Sequence, residues 1–170
     1  AVLRDEAPRV SVCVLPFANI SGDPEQDYFS DGITEDIITD LSKVSALAVV
    51  SRNTSFTFKG KAADIRQVAK QLKVSHVLEG SVRRQAKRVR ITAQLIRTSD
   101  DSHIWAERYD RDLSDIFALQ DEISDAIVKA LKLHLMPGEK KKIETRSTTN
   151  AEAYKYYLMA RHFRATFNSL

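Results

Sequence analysis

Four histidines, one cysteine and a string of carboxylates are the groups in this sequence that could catalyse a reaction or hold a metal. His76, His103, His134 and His162 fall in four separate segments, and none has a second His or Cys at ligand spacing. Zinc needs ligands clustered in close pairs, so no metal site is expected, and the histidines read as surface residues of two strands and two helices. Serine nucleophiles ask for a strained G-x-S-x-G turn or a Ser–His–Asp set. Gly80-Ser81 lies in an extended run without that frame. Neither G-x-G-x-x-G nor a P-loop occurs, so the usual backbone cradles for phosphate are missing. The residues assign no catalytic group, no metal and no cofactor.

Cys13 is the sole cysteine, so no intrachain disulfide can form and either redox compartment is open. It sits inside the apolar run Val10–Phe17, where a buried structural thiol is expected rather than a reactive one. Asp31, Glu35, Asp36 and Asp40 share one helix, with Asp31/Glu35 and Asp36/Asp40 each a turn apart. They could face a ligand, but the positive end of the helix accounts for the early acids, and a solvated face is expected. Arg83, Arg84, Lys87, Arg88 and Arg90 form the most basic stretch. No aromatic residues interleave with it to stack bases, so nucleic acid is not an expected partner. A charged hairpin that discourages edge pairing is the plainer account. In Ser55–Gly60, Phe56 and Phe58 are either partner contacts in an exposed loop or short strand, or rings folded under the sheet. Trp105 and Tyr109 share a strand face and read as core.

The elements that must position these groups follow from periodicity. Val10–Phe17 is apolar and β-branched, as in a strand buried on both faces. A polar loop, Ala18–Asp27, carries the turn signals Ser21-Gly22-Asp23-Pro24. The spacing of Ile33, Ile37, Leu41 and Val44 predicts a helix from about Asp31 to Val44, capped by Ser30 or Asp31. Leu47–Ser51 completes a βαβ unit with parallel strands. Arg52–Ala63 reads as a polar connection, after which Asp64 caps a helix over Ile65–Lys73. Ser75–Arg83, Val89–Thr98 and His103–Tyr109 read as an antiparallel meander. Within it Val89, Ile91, Ala93 and Leu95 alternate with Arg90, Thr92, Gln94 and Ile96, so one face is wet. Ser114 caps a long helix from Asp115 to about Leu135, stopped by Pro137-Gly138.

The expected fold class is α/β: a mixed sheet of about five strands with a βαβ start and an antiparallel meander finish, packed with helices and followed by a C-terminal helical extension. Residues 1–9 read as an N-terminal linker, 10–136 as the α/β domain, 137–150 as a charged linker and 151–170 as the start of a helical region. A lone helix cannot bury its own stripe, so it should pack on the domain or on chain that follows. With 26 basic and 23 acidic residues the net charge of +3 argues for no polyanionic partner. A composition of 43% hydrophobic and 29% charged residues is that of a globular chain, which excludes wholesale disorder. No apolar run reaches the roughly 18 residues of a membrane span. Ala1–Arg9 has no initiator Met and no signal pattern, and the chain stops just after a helical pattern; a piece of a longer polypeptide is expected.

Ligands of open α/β sheets sit outside the carboxyl ends of parallel strands. That places Asn19–Asp23, Asp31-Gly32 and Ser51–Asn53 around a crevice. The candidate ligand-binding residues are Ser21, Gly22, Asp23, Asp31, Gly32 and Arg52, with Arg52 supplying charge and the amides near Gly32 acting as helix N-terminal donors.

Five segments in one order carry a wider pattern: VSVCVLPFANISGDPEQDYFSDGITEDIITDLSKV, SRNTSFTFKGK, HVLEGSVRR, RVRITAQLI and HIWAERYDRDLSDIFALQDEI. Together, over about Val10 to Leu135, they resemble the TolB-like amino-terminal domain of large bacterial signalling proteins. The resemblance implies an α/β fold, a place after an adenylate cyclase or winged-helix domain, and tetratricopeptide repeats downstream. Asn150–Phe163 (NAEAYKYYLMARHF) looks like the first helix of such repeats, although it departs from their W-x2-L-G-x2-Y signature. No catalytic residue is implied, because cyclase chemistry belongs to a separate domain. The expected function is a non-catalytic regulatory or protein-interaction domain whose partners are another protein or neighbouring domains. The alternative is a small-ligand or nucleotide sensor of a cyclase-type protein. Self-association through a free sheet edge is a further expectation. The compartment is open between cytoplasm and periplasm, with cytoplasm favoured.

Overall fold

The computed structural model describes residues 10–62, 64–133, 156, 158 and 159. Strand β1 (Val10–Val14) is followed by a two-residue strand β2 (Ala18–Asn19), helix α1 (Asp27–Ser42), β3 (Leu47–Val49), α2 (Arg52–Phe56) and α3 (Ile65–Leu72). The meander comprises β4 (His76–Gln85), β5 (Arg88–Arg97) and β6 (Ser102–Asp112), and α4 (Ile116–Ala130) closes the domain. One mixed sheet runs in the order β3-β1-β4-β5-β6, with β2 also on β4. β1 pairs in parallel with both β3 and β4, while β4–β5 and β5–β6 are antiparallel. This is the expected α/β architecture. The sheet has six strands because β2 resumes the pairing of β1 with β4 after a break.

Alternation along β1 divides the core. Val12 and Val14 face α1 and α4, in a cluster with Phe29, Ile33, Ile37, Leu78, Ile91, Leu95, Ile116 and Ile123. Cys13 and Leu15 face the other way, against Val68 of α3 with Val74 and Val77. A strand buried on both faces is what a continuous β-branched run predicts. On β5, Val89, Ile91, Ala93 and Leu95 point inward, whereas Arg90, Thr92 and Gln94 stay wetter; Ile96, expected on the wet face, is buried where the register shifts between Leu95 and Ile96. Each buried Ile, Leu or Val side chain contributes about 1.5–3 kcal/mol. Trp105 and Tyr109 pack against the larger cluster, as expected of core residues. β3 and β6 form the two edges, and Glu107, Arg108 and Asp110 charge the longer one.

Local chemistry moved several elements from their expected places: Ser114, the expected cap of α4, lies inside a 3-10 turn over Leu113–Asp115, and α4 itself ends at Ala130. α1 begins at Asp27 rather than Asp31, because Asp23 caps a 3-10 turn over Pro24–Gln26 that runs directly into the helix. Ser30 and Asp31 are therefore not caps but buried members of the early turns. The expected loop Ala18–Asp27 accordingly holds β2 and this turn. The polar connection after β3 contains α2, whose N-cap Ser51 accepts a hydrogen bond from the Thr54 amide. Asp64 caps α3 as expected, accepting from the Arg66 amide.

The carboxylates of α1 are not a solvated face. Gln120 Nε2 donates to Asp36 Oδ2 at 3.2 Å, and Ser124 Oγ donates to Asp40 Oδ2 at 3.3 Å, making a polar seam between α1 and α4. The linker at 137–150 and the N-terminal residues 1–9 lie outside the described residues. Of the expected last helix, Tyr156, Leu158 and Met159 are described and helical; Leu158 is 1% exposed and belongs to the main core.

Candidate functional site

The connections after β1 and β3 cross opposite faces of the sheet, α1 on one and α3 on the other. The neighbouring strands β1 and β4 therefore mark the point where the sheet's winding reverses, and a crevice opens beyond their carboxyl ends. Pro16 has no amide to continue the ladder. At Phe17 the backbone N–H turns instead to Thr34 of α1, donating to its Oγ1 at 3.0 Å, and that hydroxyl donates to the Ser30 carbonyl at 3.0 Å. The Phe17 ring lies over Gly80 of β4, where a Cβ would stand 2.9 Å from the ring and 2.2 Å from the Thr92 carbonyl oxygen. Gly80 is thus required by close approach on both sides.

A cavity of about 420 Å³ occupies this crevice. Its polar lining comes from Asn19, from Asp27, Ser30 and Asp31 on α1, from Lys59 and Lys61 after α2, and from Glu79 on β4. Leu15, Pro16 and Phe58 supply apolar walls. Lys59 Nζ lies 2.6 Å from Asp31 Oδ2 and 3.9 Å from Asp27 Oδ2. Asn19 Nδ2 donates to Asp27 Oδ1 at 2.7 Å and to the Asp23 carbonyl at 2.8 Å. Gln94 Nε2 donates to Glu79 Oε1 at 2.8 Å. The Ser30 hydroxyl is sealed from solvent and has no hydrogen-bond partner among the described residues.

Of the residues expected around the crevice, Asn19 and Asp31 line this cavity, and the other ligand candidates do not. Ser21 Oγ accepts from the Arg84 amide at 2.9 Å, Gly22 takes a positive φ of 77° in the turn, and Asp23 caps the 3-10 turn. Gly32 lies within α1, so its amide belongs to the helix ladder, and its open side faces Leu158. Arg52 hydrogen-bonds Glu35 and stacks over Phe56, 4.2 Å from the ring centroid. Phe56 and Phe58 are half-buried, Phe56 against the main core and Phe58 against the Cys13 cluster. Sequence reasoning passed over Ser30 as a ligand group and also Asp27, Lys59, Lys61 and Glu79. The one signal for the lysines was their flanking of Gly60, a turn residue with φ 73°, directly after a capped helix.

The remaining reactive types are structural. Burial pushes the Cys13 thiol up to about 11, partly offset by a hydrogen bond with Ser55. Burial and then the Arg97 charge lower the pKa of His76, while His103 is exposed; His134 and His162 lie outside the described residues. The basic hairpin is largely spoken for. Arg88 pairs with Asp112 and Arg90 with Asp110, each at 2.8 Å, and Arg84 reaches Gln26 and Tyr28. Among the described residues no group of His, Cys, Asp or Glu could hold a metal ion. No described helix is long and apolar enough to cross a membrane.

Residues 8–129 match the family model described as the HilA/YgeH-like transcriptional regulator, second domain. A curated relative from Rhizobium meliloti (strain 1021), named "Putative adenylate cyclase 3", is 57% identical over 160 residues. That match takes in 94% of this chain but 27% of the relative, so the chain spans about a quarter of its length. Among solved structures, TolB from Acinetobacter baumannii aligns at a TM-score of 0.54 and 18% identity, over 74% of this chain and 29% of that one. Lipoprotein GNA1162 from Neisseria meningitidis aligns at 0.52 and 17%, over 75% and 99% of the two chains. At such identities the likeness is one of fold.

Proposed function

Because the chain belongs to the family of the second domain of HilA/YgeH-like transcriptional regulators, we propose that it is a non-catalytic regulatory or protein-interaction domain of a multidomain bacterial signalling protein. The observation that carries this reading is the seat of Leu158. Its side chain is buried against Gly32 of α1, so the α/β domain holds the chain that follows it through a specific packed contact. A domain that grips its downstream segment can bias whatever that segment leads into. In this reading residues 137–150 link the domain to a helical region from 151, the first helix of a tetratricopeptide-type array. The partners are neighbouring domains or a protein they recruit. The relative named as a cyclase supports a signalling context, with the reaction itself carried out by sequence beyond this chain.

The test is deletion of residues 10–133 from the full-length protein, with its enzymatic or transcriptional output measured with and without stimulus. Altered regulation at retained basal output supports the reading. Unchanged output under every condition overturns it. The isolated chain is expected to turn over no ATP, and measurable turnover would contradict the non-catalytic part.

A second reading, sensing of a small ligand or nucleotide, is favoured by the cavity at the winding reversal.

A further inference from the structure

We propose that the chain pairs with a second copy of itself through β6, antiparallel and centred on Tyr109. The contact lies away from the seat of Leu158 and goes beyond the regulatory reading. β6 is the long edge of the sheet, and no described strand pairs with its outer side. The opposite edge, β3, is only 3 residues long. An open edge presents a row of backbone N–H and C=O groups to other chains, and charged side chains deter indiscriminate pairing there.

The order of those charges on β6 permits one partner. Around the centre the strand reads Glu107, Arg108, Tyr109, Asp110, Arg111. Residues equally far from Tyr109 carry opposite charges: Arg108 against Asp110, and Glu107 against Arg111. A two-fold axis perpendicular to the sheet sets each residue opposite the one equally far beyond the centre, on the same face. Two copies centred on Tyr109 therefore place every one of these charges opposite its complement. Facing opposite charges stabilise an antiparallel pair and facing like charges destabilise it. Centring the pair on Glu107, Arg108, Asp110 or Arg111 would set that residue against its own copy.

Two of the four charged groups are idle. Glu107 and Arg108 are exposed and make no hydrogen bond or ion pair among the described residues. Their complements are already oriented: Arg90 holds Asp110 at 2.8 Å, and Glu122 of α4 holds Arg111 at 3.1 Å. Each new pair would extend an existing one into a network, which is the arrangement in which surface ion pairs contribute. The β5–β6 ladder is regular from Trp105 to Asp112, past its shift at Leu95/Ile96, so the paired stretch is an even strand. Beside it a groove of about 480 Å³ opens between β6 and α4, with Tyr109, Arg111, Glu122 and Lys129 in its lining. It leaves room for the incoming Glu107 to reach Arg111.

The experiment is sedimentation equilibrium on the 170-residue chain. The wild type is expected to show a concentration-dependent monomer–dimer equilibrium. Arg108→Glu should weaken it at least tenfold, because like charges then face each other twice across the interface. Lys61→Glu, an equal change of charge away from the edge, should leave it unaltered. Circular dichroism should show the monomer fold intact in both, since neither side chain is buried. Cysteine trapping reads the register: chains carrying Arg108→Cys and Asp110→Cys, mixed and oxidised, should cross-link to each other in preference to their own kind. A monomer at every concentration, undiminished dimer in Arg108→Glu, or preferential cross-linking of Arg108→Cys to its own kind overturns the proposal.

Discussion

Gly32 leaves the space that the Leu158 side chain fills: a Cβ at Gly32 would stand 2.5 and 2.6 Å from the two Leu158 methyl carbons. Glycine in a helix interior costs about 1 kcal/mol relative to alanine, and here that cost is offset by the seating of a fully buried leucine from far along the chain. The same stretch of α1 carries Ser30 and Asp31 in the cavity lining, so the cavity and the seat of the downstream helix share one helical turn.

Gly32→Ala should therefore strengthen α1 locally and unseat Leu158. The neighbour that must give way is the end of a flexible side chain, so the α/β core stays folded. Limited proteolysis of the full chain should accelerate between Leu133 and Tyr156. A double-mutant cycle with Leu158→Ala should show coupling of about 0.5–3 kcal/mol. Unchanged cleavage and additive energies would show that the contact does not hold the segment.

Gly80→Ala faces backbone as well as side chain. The Thr92 carbonyl oxygen at 2.2 Å cannot move without breaking the β4–β5 ladder, so a loss of about 1–3 kcal/mol or more is expected from overpacking. Removing the Phe17 ring in the same chain should restore little. Chemical denaturation measures both, and a wild-type midpoint for Gly80→Ala would refute the close approach.

Ser30→Ala should be neutral or stabilising. Leaving a buried hydroxyl unpaired costs about 1–3 kcal/mol, and the alanine variant removes that penalty along with a small volume. A marked loss of stability would mean that the hydroxyl has a partner in the folded protein.

His76 predicts a pH dependence of a stated sign. Burial and then the Arg97 charge depress its pKa in the folded state below the ordinary 6.5. Between the two values the unfolded chain binds more protons than the folded one, so stability rises with pH through that window. The contribution is complete above 6.5 and is lost as pH falls below it, until the folded state also protonates. Denaturation midpoints should drop toward acid more steeply in the wild type than in His76→Gln. Parallel profiles would exclude His76 as the source.

Cys13 should resist alkylation in the native state. Its thiol is buried and pushed up to about 11, leaving little thiolate at neutral pH. Modification by iodoacetamide should follow unfolding, and rapid labelling of the native chain would show that this strand opens.

Periodicity in the sequence was enough to determine the layered α/β class, the buried strand β1, the wet and dry faces of β5, the Asp64 cap of α3 and the antiparallel finish. Those features depend on neighbours within one element, where the alternation of side chains or a cap residue carries the whole signal. The start of α1 was missed by four residues, because the 3-10 turn that Asp23 caps runs directly into the helix and leaves Ser30 and Asp31 inside it. The cavity was legible only as a region, at the carboxyl ends of the parallel strands, and of the residues expected around it Asn19 and Asp31 line it. Tertiary structure decided the rest. Arg52 was drawn to Glu35 and Phe56, Lys59 was brought to Asp31, and Ser30 was buried without a partner. Charge and hydrogen-bond partners are chosen by distance in space after the sheet has formed, and no spacing along the chain records which carboxylate a given cation will reach.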